Sequence, residues 1–128
     1  MKIQRCKDQK DKTLEEFYSE LLASEDKILK SIGQSMLNLL AAISKESMPK
    51  NIYGLTSLYQ LKLLAQDTFI SAWYISIISC GYEKFFIDYL GDIENDKYIR
   101  LEASNISETI KLIKLAIIKS KGWVNSIK

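Results

Sequence analysis

Between Asp67 and Glu83 lie fifteen residues without a formal charge, the longest such run in the chain. A membrane-spanning helix needs about twenty consecutive apolar residues, and this run is both shorter and diluted by Thr68, Ser71, Ser76 and Ser79. It therefore belongs in the core of a water-soluble domain. Placed on a helix, the apolar positions around it (Leu58, Leu61, Leu64, Ala65, Phe69, Ala72, Trp73, Ile75 and Ile78) surround the axis rather than marking one stripe. A soluble helix that is apolar all round sits at the centre of a bundle. Cys80-Gly81 ends it, since glycine is the usual left-handed exit from a helix. Ala72 and Trp73 are expected to be largely buried.

The rest of the chain reads in the same way. Pro49 is the only proline and there are five glycines, a scarcity of breakers that favours long helices. Thr13, with Glu16 three positions on, makes a capping box for a helix beginning at Leu14. Ile28, Leu29, Ile32, Met36, Leu39, Leu40 and Ile43 form one stripe of an amphipathic helix that must end before Pro49. Whether residues 13–46 make one helix or two is open, with Ser24 a candidate cap for a second. "YEKFFIDYL" and "DKYIRLEAS" are read as short helices, and a last helix runs from about Ser107 to Lys121, capped by Asn105 or Ser107. The expectation is an all-α fold, a compact bundle of five or six helices with a central hydrophobic helix. Residues 1–12 form a flexible basic tail and residues 13–128 one domain. At 128 residues, a single domain buries roughly two-thirds of its unfolded surface, enough for one core.

Chemistry-bearing motifs are sparse. The chain has no histidine, the residue most used for proton transfer near neutral pH. The carboxylate pairs Glu15-Glu16 and Glu25-Asp26 stand at helix starts, where negative charge is stabilising in itself. "GDIENDK" lacks the patterned calcium loop of an EF-hand, and no phosphate-cradling glycine loop occurs. Cys6 and Cys80 have no metal-site or redox spacing. Cys80 is expected buried, and Cys6, between Arg5 and Lys7, is expected in the tail with any pKa shift downward. No enzyme activity, cofactor or metal is expected. The charged N-terminus has no apolar stretch behind it, so a soluble, cytoplasmic protein is expected.

Charge is segregated along the chain. Residues 1–12, 27–62 and 98–128 are net basic, and 13–26 and 63–97 net acidic. The candidate basic surface comprises Lys45, Lys50, Asn51 and Lys62 around the second connection, with Lys111, Lys114, Lys119 and Lys121 on the last helix. Lysines far outnumber the two arginines, Arg5 and Arg100, which fits phosphate contact without base reading. The alternatives are a solvated helix face and docking on charged protein neighbours.

The segment "KNIYGLTSLYQLKLLAQDTFISAWYISIISCGYEKFF" resembles the small all-helical subunit of type III-B (Cmr) CRISPR-Cas effector complexes. Tyr53-Gly54, Gln66-Asp67, Phe69, Ala72 and Tyr74 or Trp73 occupy the places of its helix-opening Tyr-Gly pair, polar dipeptide and aromatic positions. Where that family has a proline and an Asn-Gly pair, this chain has Leu61 or Leu63 and Asp67-Thr68. The resemblance implies a non-catalytic subunit of a ribonucleoprotein complex. Such a subunit stacks with copies of itself along guide and target RNA, its lysines touching phosphates without sequence choice. "SMPKNIYGLTSLYQLKLLAQ" and "KSKGWVNSIK" are loosely similar to the accessory variability determinant of diversity-generating retroelements, a basic nucleic-acid-binding bundle. A third reading is a protein-only interaction module such as an immunity or viral adaptor protein.

Overall fold

A computed structural model describes residues 3–48, 51–92 and 97–123. The expected first helix forms as α1, Leu14–Leu21. Thr13 Oγ1 accepts from the Glu16 amide at 3.0 Å, and Glu16 Oε1 accepts from the Thr13 amide at 3.0 Å. A separate helix, α2, follows at Lys27–Ile43, capped by the Asp26 carboxylate rather than by Ser24. The two pack as a hairpin so close that a Cβ added to Gly33 would stand 2.7 Å from the Tyr18 carbonyl oxygen. The last helix, α3, spans Ile106–Lys119 with Asn105 as its cap.

Between α2 and α3 the chain departs from the expected bundle. Residues 53–103 build strands β2 (Tyr53–Ser57), β3 (Gln60–Leu64), β4 (Tyr74–Ser79), β5 (Phe85–Asp92) and β6 (Lys97–Ala103). With β1 (Gln4–Arg5) they make a six-stranded sheet in the order β1-β2-β3-β4-β5-β6, with β1 parallel to β2 and every later pair antiparallel. The protein is thus an α/β fold with a mixed sheet, and the all-α bundle is corrected. The physical reason lies in a period of two. Leu61 and Leu63 flank Lys62, Ile75 and Ile77 flank Ser76, and Phe85, Ile87 and Tyr89 alternate with Phe86 and Asp88. Side chains on a strand alternate between faces. Isoleucines and aromatics on both faces of a sheet produce the same all-round apolar reading as a central helix.

Among the described residues, helices lie on one face of the sheet only. Met36, Leu39, Leu40 and Ile43 from α2 and Ile113, Ala116 and Ile117 from α3 join Leu61, Leu63, Ile75, Ile77, Phe85, Ile87 and Tyr89 in a single buried cluster. Each large apolar side chain removed from water here stabilises the fold by about 1.5–3 kcal/mol. The buried tryptophan is Trp123, whose Nε1 donates to the Asn51 carbonyl at 3.0 Å. Of the two residues expected in the core, Ala72 is exposed and Trp73 half-buried. They sit on the β3–β4 connection rather than at a helix centre.

Residues 4–9 are ordered against the sheet instead of trailing from it. After β1, a 3-10 turn at Lys7–Gln9 brings the Gln9 side chain alongside β2. Its Nε2 donates to the Thr56 carbonyl at 2.8 Å and its Oε1 accepts from the Thr56 amide at 2.7 Å. This side-chain amide supplies the pairing that a continuing strand would give. The cysteines are reversed from expectation: Cys6 is fully buried and Cys80 exposed. Burial pushes the Cys6 thiol pKa up, the opposite of activation by its cationic neighbours. No helix of the described residues is long and apolar enough to cross a membrane.

Candidate protein interface

The sheet face away from the helices carries the second side-chain set of each strand. Register aligns Leu55, Lys62, Ser76, Asp88 and Arg100 in one row across β2 to β6. A neighbouring row holds Tyr53, Leu64, Tyr74, Leu90 and Tyr98, and on the other side Phe86 stands between Ile78 and Glu102. The alternation that points Leu61, Ile77 and Ile87 at the helices requires these residues to point away from them.

Neighbouring strands hold these side chains in fixed places. The Arg100 guanidinium pairs bidentately with Asp88, Nε to Oδ1 at 2.7 Å and Nη2 to Oδ2 at 2.8 Å, and its Cζ lies 4.8 Å from the Phe86 ring centre. Asp88 holds the Arg100 pKa above its usual value, and the hydrogen bond that Lys84 donates to Glu102 does the same for Lys84, whose Nζ lies 2.8 Å from Glu102 Oε1. Lys62 Nζ sits 4.4 Å over the Tyr74 ring, and the hydroxyls of Tyr74 and Tyr98 are 2.7 Å apart. A cation over an aromatic face and a bidentate arginine fork each fix a rotamer. The result is a preorganised surface of tyrosine, phenylalanine, arginine and lysine. Its cations are matched within it: Arg100 by Asp88, Lys84 by Glu102, and Lys62 by the ring it covers.

The lysines singled out in the sequence do not gather on one surface. Lys111, Lys114 and Lys119 ride on α3, with Lys121 in the 3-10 turn that follows. Lys114 is engaged by Glu46. Lys45 is exposed just past the end of α2, and the Asn51 carbonyl is bonded to Trp123. Lys62 is on the opposite side of the sheet from α3, and Lys50 lies outside the described residues. What sequence reading missed is the set Tyr74, Phe86, Asp88, Tyr98 and Arg100. The signal that would have found it is the alternation in "FFIDYL" and "YIRLE", which puts Asp88 and Arg100 on the same side of paired strands. Among the described residues no three cysteine, aspartate or glutamate side chains converge as a metal site would need.

Two hairpin tips project from one end of the sheet. Leu58, between β2 and β3, has φ 54° and is 83% exposed, and Tyr82, between β4 and β5, has φ 54° and is 81% exposed. Both tips are tied to the helices. The Tyr18 hydroxyl donates to the Tyr59 carbonyl at 3.1 Å, and Ser31 Oγ and Ser35 Oγ accept from the amides of Tyr82 and Glu83 at 2.8 and 3.1 Å.

No family model, no curated protein and no solved structure matches this chain. The all-helical fold implied by the resemblance to the Cmr small subunit is not the fold of this protein. The described residues of the segment that carried that resemblance lie on β2, β3, the connection at residues 65–73, β4, the turn after it and the start of β5.

Proposed function

We propose that this protein is a non-catalytic interaction module that docks a protein partner on the uncovered face of its sheet. The observation that carries this reading is the fixed Tyr74, Phe86, Arg100 and Lys62 lattice on a face with no helix of the described residues over it. Tyrosine and arginine are the residues that most often dominate protein-binding energy, and a preformed rotamer lowers the entropy lost on association.

Charge favours a protein over a nucleic acid as the occupant. A phosphate backbone is held by an excess of unmatched cations and releases counterions as it binds. Of the three cations that the described residues place on this face, two already face carboxylates of the same sheet. A near-neutral, aromatic patch with both signs of charge complements a protein surface of similar character.

The test is binding to a partner isolated from the source organism by the intact chain, compared among variants. Tyr74→Ala, Phe86→Ala and Lys62→Ala should weaken binding, with the aromatic truncations costing about 1–3 kcal/mol each. Lys111→Ala and Lys119→Ala, on the other layer, should leave it unchanged. Retention by the first set and loss in the second refutes the reading. So does retention of RNA rather than protein, with an affinity that falls steeply as salt rises.

A further inference from the structure

The two edges of the sheet are treated differently. At β2, the short β1 and the Gln9 side chain occupy the backbone groups that would otherwise invite another strand. At the other edge, β6 runs for seven residues, Lys97–Ala103, and no strand of the described residues pairs with its outer side. Lys97, Tyr98, Ile99, Arg100 and Glu102 along it are all exposed. A long open edge is a template for strand addition unless its charges repel the incoming chain. Arg100 and Glu102 have their charges drawn back onto β5 by Asp88 and Lys84.

The geometry points to a second copy of this chain as the occupant, paired antiparallel through β6 about a two-fold axis at Leu101. That axis is perpendicular to the sheet, so each side chain faces one from the same side of the partner sheet. Arg100 then stands directly opposite the partner's Glu102, and Glu102 opposite the partner's Arg100. On the helix side Leu101 meets its own equivalent, and Ile99, 41% exposed in the single chain, meets the partner's Ala103. Across the junction the uncovered face carries an alternating row: Asp88, Arg100, the partner's Glu102 and the partner's Lys84. Centring the axis one residue earlier instead opposes Arg100 to its equivalent, and like charges directly opposite are destabilising. Opposite charges two positions apart are what makes self-pairing about the residue between them complementary. Association closes the open edge and joins two six-stranded sheets into one. It does not rest on the docking reading above: the two share Arg100, which lies over Phe86, but the readout here is self-association rather than the binding of another protein.

Sedimentation equilibrium of the intact chain tests it. At roughly 100 µM, where a micromolar Kd leaves most chains paired, the protein should be a dimer. Arg100→Glu and Glu102→Arg, each checked for native circular dichroism, should weaken self-association by about tenfold or more, because each places like charges opposite one another twice per dimer. When the two variants are mixed, every one of those contacts becomes an opposite-charge contact, and a heterodimer should return. A wild-type monomer at that concentration overturns the proposal. Variants that dimerise as well as wild type, or folded variants that stay monomeric when mixed, overturn it equally.

Discussion

Gly33→Ala sets two effects of opposite sign against each other. In an exposed helix interior, glycine to alanine stabilises by about 1 kcal/mol, because alanine has less backbone freedom to lose. Gly33 sits in the middle of α2, but the atoms nearest an added Cβ are the Tyr18 carbonyl oxygen at 2.7 Å and Leu21 Cβ at 2.8 Å. Neither atom can be moved by rotating a side chain. One is backbone and the other is fixed to the backbone of α1. Relief requires α1 to slide off α2, which disturbs the buried Tyr18 and the Tyr18 bond to Tyr59. Overpacking of this kind costs about 1–3 kcal/mol. Taking about 2 kcal/mol, the middle of that range, packing outweighs propensity, and a net loss of about 1 kcal/mol is expected, a fall in Tm of roughly 4 °C. Urea unfolding followed by circular dichroism measures it as a lowered midpoint with an unchanged slope. Ala41→Gly, at an exposed position of the same helix, isolates the propensity contribution and should cost about 1 kcal/mol. A Gly33→Ala protein as stable as wild type, or more so, would refute the close packing of α1 on α2.

Two further outcomes follow from named contacts. Leu58 holds φ 54° while 83% exposed, so Leu58→Asn removes little packing and relieves a left-handed strain of about 1 kcal/mol; thermal unfolding should shift upward, and a downward shift contradicts a strained tip. Burial raises the Tyr18 pKa well above its ordinary value. A raised pKa gives stability that is fully present below the unfolded value, near pH 10, and is lost as pH climbs toward the folded one. Wild type should lose stability above about pH 10 more steeply than Tyr18→Phe, and parallel pH profiles for the two proteins would show that the hydroxyl is not buried.

The legible parts of this fold were those with local chemistry. The Thr13–Glu16 box starts α1 within four residues of chain, and Asn105 caps α3 through the Glu108 amide at 2.8 Å. The stripe of α2 repeats often enough to be unambiguous. The strands were not legible, because five-residue segments such as Gln60–Leu64 have too few repeats to separate a period of two from a helical one. Their turns also hide. A tight hairpin normally announces itself with Asn-Gly or Asp-Gly, and at the two hairpin tips described here Leu58, Tyr82 and Glu83 take positive φ angles together with Gly81. The candidate interface depends on register, which no local pattern supplies. Asp88 and Arg100 are twelve residues apart and Tyr74 and Tyr98 twenty-four, and only the β4-β5-β6 pairing makes them neighbours. The lysines were visible as charges, but with the sheet unseen nothing put Lys62 and Lys111 on opposite layers.

Docking of a protein on the uncovered sheet face is tested most directly by site-specific photo-crosslinking in the source organism. A photoreactive phenylalanine analogue in place of Phe86, whose ring lies beneath Arg100, should yield one discrete protein adduct that persists after nuclease treatment. The same analogue in place of exposed Lys111 on α3 should yield none. An adduct formed only from position 111, or one that nuclease removes from position 86, would contradict the account.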